Sequence, residues 1–222
     1  EVFTPENAVH DIDKLERLEA GALLEMSFYH HTSAEHNCIH LKLYRRDETI
    51  PLSDAVPMLE NMGFRVLGED SYRIDRDGDS VYWITDFLLE NSQGAPLDLD
   101  AIDAIFYEAF AQVWFGLAEN DGFNQLVISS RLNWHEVTML RAYARYFRQI
   151  GFNLSLQYIE QALVNNPGLA AVLVLIFKNR FDPSIESRRT EDAIHLERQL
   201  ISGLDSVTSL DEDRFIRFYL SS

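Results

Sequence analysis

An α+β fold, with an antiparallel sheet and its helices followed by an all-helical domain, is predicted by three features of the sequence. Apolar residues alternate at period two in stretches between Ala22 and Glu90, the spacing of half-buried strands. From Ile102 onward they recur at three- and four-residue intervals, the spacing of helices. Between the two regimes lies the breaker Ser92-Gln93-Gly94-Ala95-Pro96, which sets the expected domains at residues 1–96 and 97–222.

The elements follow in order. Thr4, Pro5 and Glu6 open a helix: a hydroxyl can cap free amides, proline presets φ at the first position, and a carboxylate meets the positive end. That helix is expected from Pro5 to Leu18. Ala22, Leu24, Met26 and Phe28 then alternate, and Ile39, Leu41 and Leu43 resume the pattern, giving two strands joined through residues Thr32 to Asn37. Ser53 is expected to cap a helix from Asp54 to Met62, with Pro57 near its first turn and Gly63 as its left-handed stop. Phe64 to Ile74 and Ser80 to Glu90 read as strands, joined by a tight Asp-Gly turn within Asp75 to Asp79.

A helix with Ile102, Ile105, Phe106, Ala109, Phe110, Val113 and Leu117 on one face either covers the sheet or begins the helical domain. Asn133 followed by Glu136 forms a capping-box signature, and Gly151 stands just past the end of the helix it opens. Further helices are expected at Ser155 to Asn165, Pro167 to Phe181 and Ile185 to Leu204. Ser209 with Glu212 repeats the capping signature before Arg214 to Leu220.

Composition narrows the function classes. The 222 residues carry 19 basic against 36 acidic side chains, a formal net charge of -17, which repels nucleic-acid backbones and anionic lipid. Cys38 is the single cysteine, so no intrachain disulfide forms, and a cytoplasmic location is expected. The apolar stretch Leu169 to Phe177 is about half of the roughly 20 residues a spanning helix needs. The chain starts at Glu1 and stops at Ser222 directly after an apolar cluster, as a piece of a longer polypeptide would.

Several groupings invite a chemical reading. His30, His31, His36, Cys38 and His40 are metal-ligand types within a short span, but without a C-x-x-C pair; the alternative places Cys38 and His40 on one strand face and the rest in a loop. Arg141, Arg145 and Arg148 form a helical stripe that suits either an anionic ligand or salt bridges and docking. The acidic turn Asp75, Asp77, Gly78, Asp79 lacks the trailing glutamate of a calcium loop. Neither G-x-G-x-x-G, G-x-x-x-x-G-K nor G-x-S-x-G occurs, so no catalytic, cofactor-binding or metal residues are assigned to this segment.

Two long stretches resemble the large NAD-specific glutamate dehydrogenases of bacteria: Pro51 to Ile74 with Tyr82 to Glu90, and Ala109 to Phe152; Phe177 to Pro183 and Ser209 to Leu220 extend the similarity. The resemblance implies an ACT-like (ferredoxin-like) domain followed by a helical domain, both upstream of a region that oxidises L-glutamate to 2-oxoglutarate with NAD. It implies no cofactor in this segment, NAD in the whole enzyme, partners among the remaining domains of the same chain, and a homo-oligomeric full-length enzyme. By the same resemblance, an amino-acid effector would sit at the first strand-to-helix turn, here Asp47, Pro51, Leu52 and Ser53. Leu52 stands where binding versions have glycine, and the leading strand departs from the β-α-β-β-α-β order. Trp83 and Phe87, on one strand face, are expected to dock against other parts of the enzyme.

Overall fold

The computed structural model describes residues 5–30, 38–75, 80–94, 96–183 and 189–221. Its contacts divide the chain into two compact units, residues 1–120 and 121–222. The first contains α1 (Pro5–Glu19), β1 (Glu25–Tyr29), β2 (Cys38–Arg46), α2 (Leu52–Asn61), β3 (Phe64–Asp75), β4 (Val81–Asn91) and α3 (Leu99–Trp114). The compositional boundary at 96/97 precedes the division by contacts because α3, although helical in pattern, packs its apolar face on the sheet.

The four strands run in the order β1-β2-β4-β3, each antiparallel to its neighbours. The leading strand is thus an integral edge strand. In the β-α-β-β-α-β order a strand after the second helix completes the sheet; here β1 arrives before β2 and takes an edge position. Cross-strand register puts Met26, Leu43 and Thr85 in one line and Phe28, Leu41 and Phe87 in the next. Period-two alternation places all six on one face.

That face carries α2 and α3. Phe106 of α3 lies 4.8 Å from Phe28 and 5.6 Å from Phe64, ring centre to ring centre, and Ala55 and Leu59 of α2 are fully buried. Each such aromatic pair adds ~0.5–1.5 kcal/mol beyond the burial of its area. Phe87 is fully buried in this core, so its expected docking role is corrected, while Trp83 is half-buried. The opposite face carries α1, whose Leu18 joins Tyr44, Tyr82 and Ile84 in a smaller cluster bordered by Leu15 and Ala22.

Local starts and stops explain the remaining differences from sequence expectation. Helix α2 begins at Leu52 with Pro51 as N-cap, so Ser53 lies inside the first turn, where its hydroxyl donates to Asp54 at 3.2 Å instead of capping. Gly63 has φ of 92°, as its role as stop requires. A bulge between Val66 and Gly68 inserts Leu67 into β3. Helix α3 starts on Asp98, whose side chain accepts from the Ala101 amide, and ends at Trp114 before Gly116 at φ 71°, leaving Leu117 exposed outside it.

The second unit is helical: a 3-10 turn (Gly122–Gln125), α4 (Leu126–Ser129), α5 (Trp134–Gln149), α6 (Leu156–Asn165), α7 (Pro167–Phe181), α8 (Arg189–Leu204) and α9 (Leu210–Ser221). The capping box of α5 is complete: the Asn133 amide donates to Glu136 at 2.8 Å, and the Glu136 amide donates to Asn133 Oδ1 at 3.1 Å. Phe147 sits fully buried among Phe152, Phe215, Phe218 and Tyr219, with ring centres 4.9–6.4 Å away. Among the described residues no single helix is long and apolar enough to cross a membrane. The pair α6 and α7 would pass by length and composition only, bent by 102°; Leu163, Ala170 and Leu173 of that pair are buried inside the unit.

Candidate functional site

The turn after β2 is built as a structural link. Asp47 adopts φ 61°; its amide donates to the Val81 carbonyl at 2.7 Å and its Oδ1 accepts from the Val81 amide at 3.0 Å, which extends the β2-β4 ladder. Arg45 beside it reaches Glu48 at 2.5 Å and lies 5.7 Å from the Trp114 ring centre. Pro51, Leu52 and Ser53 are exposed, and no side chain caps the α2 N-terminus. The four expected turn residues therefore divide into an anchor, Asp47, and an open helix start.

The arginine stripe divides as well. Arg141 is buried: Nε donates to Asp121 at 2.7 Å, while NH2 donates to Asp121 and to Asn124, both at 2.8 Å. Its guanidinium carbon is 5.7 Å from the Phe123 ring centre. A fork locked on a carboxylate this way is a fixed internal strut. Arg145 and Arg148 lie exposed on α5, so the three arginines do not share one environment. Glu160 of α6 faces the same cluster and accepts from the Gly122 amide; burial, then the Asp121 charge, push its carboxyl above the usual range.

On α1's side of the sheet lies a polar network that the sequence reading missed. Lys42 donates to both Asp11 oxygens at 3.0 and 2.8 Å, and Tyr44 donates to Asp11 at 2.6 Å. His40 Nδ1 lies 3.0 Å from Asp86, which also accepts from Tyr29. Burial, then the carboxylate acceptors, drive the Tyr29 and Tyr44 hydroxyls far above their ordinary range. The available signal was Asp11, Lys14 and Leu18 at helical spacing in α1, masked by the competing apolar set Val9, Ile12 and Leu15.

A cavity of about 450 Å³ opens beside β1, lined among others by His10 and Lys14 of α1, Tyr29 of β1, and Asp100, Asp103 and Tyr107 of α3. Tyr107 accepts from the Phe28 amide at 2.6 Å, capping one donor on the free edge of β1; burial and the Asp103 acceptor raise its hydroxyl pKa. Of the suspected metal ligands, His30 is exposed, Cys38 is half-buried and His40 is committed to Asp86, while His31 and His36 lie outside the described residues. Among the described residues no three His, Cys, Asp or Glu side chains converge to hold a metal. The acidic turn falls largely outside them too, at residues 76–79.

Comparison with known proteins matches both units. Residues 23–102 match the family model described as glutamate dehydrogenase, ACT3 domain, and residues 118–183 match glutamate dehydrogenase, helical motif 3. The chain is 41% identical over 220 residues to the NAD-specific glutamate dehydrogenase of Halomonas elongata and 40% over 223 residues to that of Pseudomonas aeruginosa, covering 99% of this chain in each case. It is 32% identical over 227 residues to the enzyme of the same name from Mycobacterium tuberculosis, covering 100% of this chain. In each case the chain spans 14% of the relative's length. An antiparallel sheet with its helices matching the ACT3 domain, followed by the helical motif, places the chain in the family of large NAD-specific glutamate dehydrogenases.

Proposed function

We propose that this chain is a non-catalytic regulatory and assembly segment of a glutamate dehydrogenase whose whole polypeptide converts L-glutamate, NAD and water to 2-oxoglutarate, ammonia and NADH. The observation that carries the reading is the adjacent match to an ACT3 domain and a helical motif within 14% of the relatives' length. On this reading NAD is held elsewhere in the polypeptide, which is a cytoplasmic homo-oligomer, and this segment's partners are the remaining domains.

Exposed apolar side chains fit that role. Leu67, Tyr72 and Ile74 of β3 lie open on an edge strand in the first unit, and Ile194 and Ile201 of α8 lie open in the second. The test is made in the whole enzyme: Ile194→Asp with Ile201→Asp is expected to shift the oligomer on size exclusion or lower NADH formation. An unchanged assembly and rate would remove the assembly role. NAD reduction by the 222-residue chain alone would overturn the non-catalytic one.

The cavity beside β1 favours a second reading, an amino-acid-sensing module. Its walls present both signs of charge, Lys14 against Asp100 and Asp103, as a zwitterion requires. Titration with glutamate, aspartate, arginine, 2-oxoglutarate and NAD, followed by thermal shift and calorimetry, separates the readings, since a ligand of the native state raises its stability. Saturable binding of an amino acid supports sensing; silence across the panel leaves assembly.

A further inference from the structure

We infer that α1 is a releasable cover, fastened to the sheet by buried ion pairs and able to swing away at the turn around Gly21 while the sheet stays folded. Between Val9 and Lys14 the helix buries charged side chains and exposes apolar ones. Its inward residues Asp11 and Lys14 are 7% and 8% exposed, while Val9 and Ile12 point outward at 66% and 54%. It also lies outside the segment 23–102 that matches the ACT3 domain, so the sheet it covers belongs to a family unit defined without it.

The seam is polar along most of its length. Asp11 meets Lys42, itself 4% exposed, and Tyr44 of β2. Lys14 meets Glu25 of β1 at 3.0 Å, with the Tyr107 ring centre of α3 5.9 Å away, and Glu19 accepts from Tyr82 of β4 at 3.0 Å. Among the described residues, apolar anchoring is seen at the C-terminal end, where Leu15 and Leu18 meet Tyr44, Tyr82 and Ile84.

That division sets the energetics. A buried ion pair gains Coulomb energy but has given up the hydration of both charges, and opening the helix restores that hydration. Apolar contact offers no such recovery, losing about 25 cal/mol for each Å² re-exposed. Two polar turns therefore hold α1 with less net free energy than the apolar face holds α2 and α3, so α1 opens below the cost of global unfolding. Gly21, at φ 110° with open space around it, supplies the pivot. Release uncovers Lys42, Tyr44, Ser27 and Tyr29 on the sheet.

Hydrogen exchange of the 222-residue chain, read separately for α1 and β2, tests this. Amides of α1 are expected to exchange at least about tenfold faster than those of β2, with a denaturant dependence that is measurable but smaller than that of β2. Lys42→Met strands the Asp11 charge in the seam and is expected to lower α1 protection a further tenfold or so, with β2 as internal reference. Asp11→Leu combined with Lys42→Met replaces the pair by apolar contact and is expected to return α1 protection to the wild-type level or above. The inference is overturned if α1 and β2 share one protection and one denaturant dependence, or if the double variant loosens α1 as much as the single.

Discussion

The carboxylate of Glu160 occupies the space that a side chain on Gly122 would need. A β-carbon built on Gly122 collides with Glu160 Oε1, and the Gly122 amide donates to the same carboxylate. A side chain here must displace the end of the Glu160 side chain from the amide it accepts from, in a turn whose Asp121 also holds Arg141. Gly122→Ala is expected to push the carboxylate aside and strand the amide, a loss of about 1–3 kcal/mol. Urea unfolding with an unchanged m-value measures it; a loss below about 0.5 kcal/mol would contradict the close approach.

The same carboxyl gives a pH dependence with a definite sign. Its folded-state pKa is raised, by burial first and by Asp121 second, so the folded state holds the proton more tightly than the unfolded state does. Its contribution to stability is fully present below the unfolded glutamate value and is lost as pH rises through the folded one. Glu160→Gln removes that dependence. Wild type is therefore expected to lose stability relative to Glu160→Gln between mildly acidic and neutral pH; a difference that is flat or grows in favour of wild type refutes the assignment.

Arg141 and Arg148 share a helix but not a role. Removing the Arg141 guanidinium leaves Asp121 partly buried without this cation and breaks the bond to Asn124, which is expected to cost about 2–4 kcal/mol. Arg148 is exposed, and its change to alanine should stay within about 0.5 kcal/mol. Thermal unfolding of Arg141→Ala and Arg148→Ala reads the contrast directly, and equal losses would mean that Arg141 is not the strut described above.

The sequence makes plain what depends on near neighbours in the chain. Four strands follow from alternation, and the α5 start follows from Asn133 and Glu136, because those signals act within a turn or a strand. Contacts distant in the chain were not legible. Arg141 turns inward because Asp121 waits 20 residues earlier, although its spacing groups it with Arg145 and Arg148. Phe87 alternates like any half-buried strand residue, and only α2 and α3 reveal that its face is the core. Ser53 has the chemistry of a cap, yet Pro51, extended at φ -67° and ψ 126°, starts the helix earlier. The position of β1 at the sheet edge depends on pairing with β2, which no local pattern encodes.

Helix packing in the second unit turns on Gly203. A β-carbon there would lie 2.5 Å from Leu169 Cδ2, so α8 crosses α7 at a point where a side chain on one helix must yield. Gly203 is the second-last residue of α8, so alanine would raise helix propensity by less than the ~1 kcal/mol of a helix interior, and displacing Leu169 opposes that gain. Gly203→Ala alone is accordingly expected to be close to neutral or destabilising. In a Leu169→Ala background the obstruction is gone, and the same change is expected to stabilise. A double-mutant cycle should show a coupling of at least about 0.5 kcal/mol between the two positions. Additive effects would mean that the helices part at this crossing without cost, and that the close approach does not set the spacing of α7 and α8.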